Sequence, residues 1–408
     1  MPSMASATPR RPHAARPAPR RRATARPARA NDAQTPANAT KKCIAIVTGG
    51  AGFIGAHLAL ALARDARCAR VIAVDDFDAH GPYPRAWKRA NAAMLTRAGT
   101  VDVAEADASD AEAFERVVLD AVARAGDVEG GVDVRIAHLA ARSGVGAAAG
   151  DAVGATVANA LSAVNVLSVA SRVNRAHSEG IARVPRVVLA SSGSVYGEAS
   201  MTADGAPMAS RVGDGTDHPT STYAATKRSS ELLAKAHVAT HASAGAGGVS
   251  VIVARIFTVF GPRGRPDMAV WRFIKQLTSG ARLTRFGDGQ STWRDYVYVD
   301  DVVDALTRAL MVDLDVPESS DGFEIVNIAG ARPVFLSEII AACEEACGTS
   351  SAVDELPQRP GDVGGTYGDI TEATALLDWT PKTTLRDGLR RTVAWWTSPE
   401  ADEYRDVE

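Results

Sequence analysis

Residues 41–55 read KKCIAIVTGGAGFIG, an apolar, β-branched run that ends abruptly in glycines and continues as the helical pattern AHLALALA. A strand that leads through a glycine turn into a helix is typical of the first βαβ unit of a dinucleotide-binding fold. Gly49 would permit the tight turn, Gly52 the approach of the backbone to a pyrophosphate, and Gly55 the close packing of helix against strand.

The helix after this turn is expected to hold the pyrophosphate at its N-terminus, near Phe53 and Ile54, because unpaired N–H groups there favour an anion. A second apolar segment, RVIAVDDFD, follows, and its Asp75 lies 20 residues after Gly55. At this distance an acidic residue can accept hydrogen bonds from the adenosine ribose. The alternative is a glycine turn between any strand and helix, but the acid in the right place favours a dinucleotide site.

The chain has 408 residues, 46% of them hydrophobic, which predicts one large α/β unit and a smaller lobe. The net charge of −3 hides an asymmetry, since residues 1–40 hold eight arginines and one aspartate, a net +7, and the remainder carries −10. An acidic body gives no reason to expect a nucleic-acid partner. Of the four cysteines, two lie in apparent core segments, and Cys343 and Cys347 are too isolated from other ligands for a metal site. Buried thiols in a reducing compartment are the favoured interpretation.

Residues 1–40 lack apolar periodicity and contain seven prolines, so we expect them to be disordered. Their arginine-rich, acid-poor composition fits an organellar transit peptide, which would direct the protein to a plastid or another organelle, and it fits an ordinary basic tail of a cytosolic protein equally well. No window of the chain approaches 18 consecutive apolar residues, so a membrane span is not predicted.

Two further strands are predicted before the middle of the chain. VDVAEAD precedes Asp107, which is expected either to contact the adenine or to serve only as a turn residue. The strand in VDVRIAHLAA ends in small residues such as Ala140, which would leave room for the cofactor at the carboxyl edge of a parallel sheet. A long, Ala-rich helical pattern near residues 155–172 follows, and its periodicity suits either a core helix or a dimer surface.

The next strand, PRVVLASSGSVYG, brings hydroxyl groups to its carboxyl end, among them Ser192 and Ser194. A turn stabilised by serine hydrogen bonds would look the same. After a polar insertion, however, the helical segment STYAATKRSS places Tyr223 and Lys227 at i and i+4, on one helical face. An ammonium group beside a tyrosine is expected to lower its pKa, so the pair predicts a proton-transfer device.

Taken together, GGAGFIG, SSGSVYG and YAATK resemble the extended short-chain dehydrogenase/reductase family, which includes nucleotide-sugar epimerases and dehydratases. The resemblance implies an NAD-binding Rossmann domain, a doubly wound parallel sheet, over residues 41–262. It implies a smaller lobe over residues 263–400 that binds the nucleotide sugar, with a segment near residues 296–330 returning to the Rossmann domain. Family members form homodimers, so a homodimer is also expected.

The same resemblance implies roles for individual residues. Tyr223 would be the general acid/base, Lys227 its electrostatic and ribose-binding partner, and Ser192 would share the hydrogen bond of the reacting hydroxyl. Tyr223 and Lys227 would therefore contact both cofactor and substrate. Further along, Arg294 would contact the diphosphate, and the RPGD segment would contribute two more substrate contacts, Arg359 and Asp362.

The segment FTVFGPRGRPDM is similar to that of UDP-glucuronate 4-epimerases, with Phe260 in place of their usual tyrosine. An arginine on a loop stiffened by Gly and Pro can make a two-pronged contact to a carboxylate or phosphate, and its alternative is a surface arginine. By resemblance, Ser194, Thr258 and Arg265 would hold the sugar carboxylate. Some of these epimerases lie in the Golgi, which is a further alternative for localisation.

Dehydratases of the family carry an Asp-Glu pair before VYG, and the decarboxylases that make UDP-xylose carry a Glu where Ser194 stands; this chain has Gly193 and Ser194. Epimerisation at carbon 4 therefore remains, most readily of UDP-glucuronate to UDP-galacturonate. Tyr223 would take the proton of the carbon-4 hydroxyl as that carbon is oxidised, NAD would stay bound, and the 4-keto sugar would turn over and be reduced from its opposite face.

One departure from the family pattern keeps other functions open. These epimerases commonly have an arginine where Gly146 stands, so Arg142 is expected to substitute for it unless the substrate preference differs. The alternatives are therefore a UDP-glucose/UDP-galactose 4-epimerase, with the same mechanism on a neutral sugar, and a non-catalytic Rossmann protein that binds NAD or a nucleotide sugar.

Overall fold

The computed structural model describes residues 43–78, 81–124, 132–176, 182–242, 248–312, 322–357 and 364–405. The expected disordered tail, residues 1–40, and the predicted substrate contacts Arg359 and Asp362 lie outside these ranges. Residues 41–408 form one compact unit.

A seven-stranded, entirely parallel sheet in the order β10-β6-β5-β4-β1-β2-β3 forms the centre of this unit. Its strands are nearly continuous apolar runs, as expected when helices cover both faces of a parallel sheet. This sheet confirms the predicted Rossmann-type α/β fold. Its strands are β1 (Cys43–Thr48), β2 (Cys68–Asp75), β3 (Val101–Glu105), β4 (Val132–His138), β5 (Ala182–Ser192), β6 (Ser250–Ile256) and β10 (Phe323–Ile328).

Helices cover the two faces of the sheet over separate apolar cores. One core contains residues of α1 (Phe53–Arg64), α2 (Arg85–Arg97) and α9 (Val299–Met311). The other contains residues of α3 (Ala111–Ala123), α6 (Ser162–Ala176) and α7 (Thr222–Ala242). The α3 helix begins at an aspartate cap, where the Asp110 carboxylate accepts from the amides of Glu112 and Ala113 at 3.0 and 2.9 Å.

The remaining elements form two small sheets and the helices around them. One sheet has the order β11-β9-β7 and the other pairs β12 with β8. Their strands are β7 (Thr258–Phe260), β8 (Leu283–Phe286), β9 (Trp293–Tyr298), β11 (Pro333–Phe335) and β12 (Val353–Leu356). The helices are α8 (Ala269–Thr278), α10 (Leu336–Cys347), α11 (Thr371–Leu377), α12 (Leu385–Trp396) and α13 (Asp402–Arg405). After the strands of the small sheets begin, the chain returns to the large sheet: α9 packs against α1, and β10 pairs with β6.

The long Ala-rich pattern forms one continuous helical stretch, Ala152–Ala176, made of α5 (Ala152–Thr156), a π-helical turn (Val157–Leu161) and α6. A short helix, α4 (Val145–Gly150), precedes it. Among the described residues, this stretch alone is long and apolar enough to cross a membrane by length and composition. Its α6 part buries Val166, Leu167 and Val169 in the core of the large sheet, so core packing accounts for much of its apolar character.

The polar insertion before α7 is anchored rather than free. The amide of Ser210 donates to the carbonyl of Tyr367 at 2.7 Å, and the amide of Asp369 donates back to the Ser210 carbonyl at 2.9 Å. The side-chain amide of Asn327, in β10, also donates to the Ser210 carbonyl at 3.0 Å. These bonds connect the insertion with the segment that follows the predicted RPGD loop.

Candidate active site

A cavity of about 580 Å³ lies at the carboxyl edge of the large sheet, where the order of strands reverses between β1 and β4. This is the switch point at which open α/β sheets bind their ligands. Every predicted site residue within the described ranges lines it. These residues are Gly49, Gly52, Phe53, Ile54, Gly55, Asp75, Asp107, Ala140, Ser192, Ser194, Tyr223, Lys227, Thr258, Arg265 and Arg294.

The glycine turn after β1 has the geometry that the sequence predicted. Gly49 has φ +68°, and a Cβ there would lie 2.8 Å from the backbone nitrogen of Ala140. A Cβ on Gly55 would lie 2.0 Å from the carbonyl oxygen of Gly49, so α1 packs too closely against the turn for any other residue. Gly52 is the N-cap of α1, which points the first amides of this 12-residue helix at the cavity. The turn therefore fits the pyrophosphate of a dinucleotide.

Asp75 is the last residue of β2 and accepts three hydrogen bonds from its surroundings. Its carboxylate accepts from the amides of Ala51 and Phe77 at 3.1 and 3.0 Å, and from the ammonium of Lys88 at 2.9 Å. Burial raises the pKa of Asp75, while the charge of Lys88 opposes that rise. The sequence analysis missed Lys88, which α2 brings back over the end of β2.

Asp107 has the turn role, and its contact with the adenine stays a prediction. Its carboxylate accepts from the amide and from the hydroxyl of Ser109, both at 2.7 Å, so it stabilises the turn before α3. It also lines the cavity, close to the end of β3. A turn residue can thus remain a candidate contact of the cofactor.

The hydroxyl groups after β5 converge at the cavity. Ser192 caps a short 3-10 turn, Gly193–Tyr196, and its Oγ accepts from the amide and hydroxyl of Ser194 at 3.2 and 2.9 Å. Tyr223, from the first turn of α7, lines the same cavity, and the Ser192 hydroxyl acts against the rise of the Tyr223 pKa that burial causes. Three hydroxyl groups are therefore gathered at one part of the cavity wall.

Lys227 lies one helical turn after Tyr223, and its ammonium is directed at the end of β5. Its ammonium donates to the carbonyl oxygen of Ala190 at 2.8 Å, and burial lowers the pKa of Lys227 to about 8, although Glu231 opposes this shift. Burial raises the pKa of Tyr223, and the charge that opposes the rise comes from Arg265. The pKa of Tyr223 is therefore raised rather than lowered in this structure, and the partnership of Lys227 with Tyr223 stays a prediction.

Arg265 approaches Tyr223 from the loop after β7. Its Nε and Nη2 make a two-pronged ion pair with Asp267 at 3.0 and 2.7 Å. Gly144 faces this group with φ +106°, and a Cβ there would lie 2.9 Å from Arg265 Nη2. The absence of a side chain at Gly144 therefore leaves room for the guanidinium beside the tyrosine, which makes Arg265 a cavity residue rather than a surface arginine.

The other predicted substrate contacts lie further along the same wall. Thr258 begins β7 and is half-buried. Arg294, in β9, donates from Nη1 to the carbonyl oxygens of Trp293 and Gly364 at 2.8 and 3.2 Å. These bonds hold the guanidinium at the cavity wall, where the diphosphate was expected.

Arg142, the suggested substitute for the arginine missing at Gly146, also lines the cavity. Its Nε donates to Asp78 at 3.1 Å and its Nη1 to Asp151 at 2.5 Å. Two carboxylates therefore already compensate its charge. The sequence analysis missed both of them, because they come from the segment after β2 and from the N-cap of α5.

Behind the hydroxyl cluster lies a buried polar network that no motif predicted. The Glu231 carboxylate, one turn beyond Lys227 in α7, accepts from the hydroxyl of Ser191 at 2.5 Å and from Arg255 of β6. Arg255 also donates to the Tyr196 hydroxyl at 2.9 Å. The only available signal was the spacing of Tyr223, Lys227 and Glu231 on one helical face.

The fold and this cavity define a class of protein, a Rossmann-fold enzyme with a serine, a tyrosine and a lysine gathered beside a dinucleotide site. Residues 45–329 match the NAD dependent epimerase/dehydratase family. The chain belongs to this family.

Individual relatives agree with that assignment. The chain is 34% identical over 364 residues to UDP-glucuronate 4-epimerase 5 of Arabidopsis thaliana, covering 86% of this chain and 74% of the relative. A crystal structure of UDP-glucuronic acid 4-epimerase from Bacillus cereus with UDP-glucuronic acid and NAD has TM-score 0.69 and 29% identity, covering 86% of this chain and 98% of that one. UDP-glucose 4-epimerase from Thermotoga maritima, with UDP-glucose, has TM-score 0.67 and 26% identity, covering 86% and 98%.

Proposed function

We propose that the protein is an NAD-dependent 4-epimerase of a UDP-sugar that converts UDP-glucuronate to UDP-galacturonate. The observation that carries the proposal is Arg265, a cation that lines the same cavity as the hydroxyls of Tyr223 and Ser192 and the dinucleotide turn and that acts on the pKa of Tyr223. A uronate carries a carboxylate one carbon away from the reacting hydroxyl, which such a cation can hold, whereas a neutral sugar has no charge there. The uronate epimerases among the relatives support the same substrate.

The cofactor would be held by the residues described above. The amides at the start of α1 hold the pyrophosphate, Asp75 accepts from the adenosine ribose, and Lys227 donates to the second ribose. When bound, NAD supplies reversible removal and return of a hydride at carbon 4.

The residues of the hydroxyl cluster move the proton. Ser192 orients the carbon-4 hydroxyl through a hydrogen bond, and Tyr223 accepts its proton and later returns one to the 4-keto sugar. Burial raises the pKa of Tyr223, so in the free protein it is poised as an acid, and a nearby positive charge is needed for it to serve as a base. Arg265 supplies part of that charge.

Holding the uronate is the second task of the site. The 4-keto form of a uronic acid is a β-keto acid, which loses carbon dioxide when the carboxylate bond aligns with the ketone. Three residues, Arg265, Ser194 and Thr258, hold the carboxylate so that its bond does not align with the ketone. Asp267 keeps the guanidinium oriented, because a two-pronged pair fixes its plane.

The test is to incubate the purified full chain with NAD and either UDP-glucuronate or UDP-glucose and to resolve the products by chromatography. We expect UDP-galacturonate from the first mixture and little or no UDP-galactose from the second. Tyr223→Phe is the matched control, since it removes one oxygen. Turnover of UDP-glucose alone would favour the neutral-sugar 4-epimerase, and a protein that binds NAD but converts neither sugar would be a non-catalytic binder.

We further infer that two copies of the chain pair through α7 and the helical stretch Ala152–Ala176. Where these helices lie side by side, they expose large apolar side chains to solvent. Their exposed fractions are 77% for Val153, 40% for Val157, 44% for Leu161, 51% for Leu232 and 43% for Leu233. Two adjoining apolar helices on each copy can form a four-helix contact across a two-fold axis.

A further inference from the structure

The sulfur atoms of Cys43 and Cys68 lie 3.9 Å apart, at the edge of the large sheet opposite the cavity. Cys43 begins β1 and Cys68 begins β2, and the two residues are paired across these neighbouring parallel strands, next to an irregularity in the register between Cys43 and Ile44. Adjacent strands lie about 4.8 Å apart, which falls inside the Cα separation of roughly 4.4–6.8 Å found for disulfides. A short movement of the side chains would therefore bring the two sulfurs to bonding distance.

The backbone and the surrounding packing hold the thiols together. The amide of Cys43 donates to the carbonyl of Arg67 at 2.9 Å, which fixes the start of β1 to the turn before Cys68. Met311 of α9 contacts the Cys43 sulfur at 4.0 Å. Cys43 is 3% exposed and Cys68 is half-buried, so Cys68 is the thiol that a solvent oxidant meets first.

We propose that Cys43 and Cys68 are an oxidation site at which a small disulfide such as glutathione disulfide forms a reversible cross-link. The hydrogen bond with Cys43 and burial raise the pKa of Cys68, so the more accessible Cys68 reacts slowly at neutral pH and faster at alkaline pH. Once it has lost its proton, Cys68 attacks one sulfur of glutathione disulfide and releases one glutathione thiolate. The Cys43 thiol then loses its proton and attacks the Cys68 sulfur, which releases the second glutathione. One S–S bond forms and one breaks, two protein thiols are oxidised, and glutathione disulfide is reduced to two thiols.

The other two cysteines provide an internal comparison. Cys343 and Cys347 are four residues apart on α10, where Cβ atoms are about 5–6 Å apart, beyond the roughly 3.8 Å of a disulfide. Oxidation should therefore select the pair on the sheet. The cross-link would join two residues that are 25 positions apart, at the end of the strands remote from the cavity. It should raise the midpoint of thermal unfolding by a few degrees.

The test is to treat the reduced full chain with glutathione disulfide and map its peptides by mass spectrometry without reduction. We expect a Cys43–Cys68 cross-linked peptide, two remaining thiols, and reversal by a thiol reductant. Cys43→Ser should instead retain one glutathione on Cys68, and Cys347→Ser should cross-link as the unchanged chain does. Four thiols remaining free, or a cross-link between other cysteines, would overturn the proposal, and the unchanged chain alone decides this if a variant does not fold.

Discussion

Arg255 and Glu231 form a two-pronged ion pair inside the protein, with Nε to Oε1 at 2.9 Å and Nη2 to Oε2 at 2.7 Å. Glu231 is 1% exposed and Arg255 2%. The pair connects α7 with β6, and through the hydroxyl of Ser191 it also reaches the end of β5. Removing one member of such a buried pair costs about 3–5 kcal/mol, so the pair fixes the positions from which Ser192, Tyr223 and Lys227 extend.

The first prediction concerns Glu231→Gln. Lys227 is protonated below its pKa, which burial has lowered to about 8 and which the Glu231 charge raises. Removing that charge should lower the Lys227 pKa further, so the loss of kcat at alkaline pH should begin at a lower pH than in the unchanged enzyme. The measurement is the pH profile of kcat, with folding verified by NAD binding.

Ser191→Ala is the matched control for this variant. It removes a hydrogen bond to Glu231 but leaves the carboxylate charge, so its alkaline limb should coincide with that of the unchanged enzyme. An unshifted limb in Glu231→Gln would show that Glu231 acts only in stability.

The second prediction is that Tyr223→Phe keeps the fold and nucleotide binding but loses most turnover. Only one oxygen is removed, and general acid–base steps contribute roughly 10²–10⁴-fold. Single-turnover measurements with UDP-glucuronate give the rate, and binding of UDP-glucuronate serves as the control for an intact site. A rate near that of the unchanged enzyme would assign the proton to another group.

The third prediction is that Arg265→Ala loses far more activity toward UDP-glucuronate than toward UDP-glucose. A hydrogen bond to a charged group contributes about 1.5–3 kcal/mol, against about 1 kcal/mol for a neutral one, which corresponds to roughly a tenfold difference in kcat/KM. The freed carboxylate should also allow some decarboxylation, detected as a UDP-pentose by chromatography.

Arg142→Ala provides the comparison for Arg265, because two carboxylates, Asp78 and Asp151, compensate its charge, against the single Asp267 beside Arg265. We expect it to discriminate less between the two sugars. Equal losses on both sugars in Arg265→Ala would indicate that Arg265 holds the diphosphate common to them.

The fourth prediction concerns assembly in solution. The full chain of 42.6 kDa should have the mass of a dimer at micromolar concentration, and Leu161→Asp with Leu232→Asp should produce monomers, because two charges would be buried without partners. Leu119→Asp, on α3, is the matched control, as Leu119 is 42% exposed and lies outside this surface. Light scattering measures the mass, and a monomeric unchanged chain would contradict the proposed contact.

The fifth prediction is that Asp75 makes the protein prefer NAD to NADP. A carboxylate at the ribose accepts from hydroxyls and repels a phosphate, although Lys88 offsets part of its charge. Asp75→Ala should therefore reduce the ratio of the two affinities on the order of tenfold or more, whereas Asp102→Ala, at an exposed residue outside the cavity wall, should leave it nearly unchanged. Tighter binding of NADP than NAD to the unchanged chain would refute this role.

Much of the site follows from short stretches of sequence, because its determinants are local. The glycine turn from Gly49 to Gly55 sets its own backbone path, and a strand that ends in Ser192 brings that hydroxyl to the sheet edge. Tyr223 and Lys227 lie on the same face of α7 because they are four residues apart on a helix. The parallel sheet likewise follows from buried apolar runs that alternate with helical patterns.

The tertiary structure alone decided which charges act on which groups. Arg265 lies beside Tyr223 because β7 places its loop against Gly144, and Lys227 instead bonds to Ala190. Three other contacts likewise join segments that are distant in sequence: Lys88 with Asp75, Arg255 with Glu231, and Cys43 with Cys68. An electrostatic interaction or a hydrogen bond depends on distances of a few ångströms, and only the packing of separate elements sets those distances.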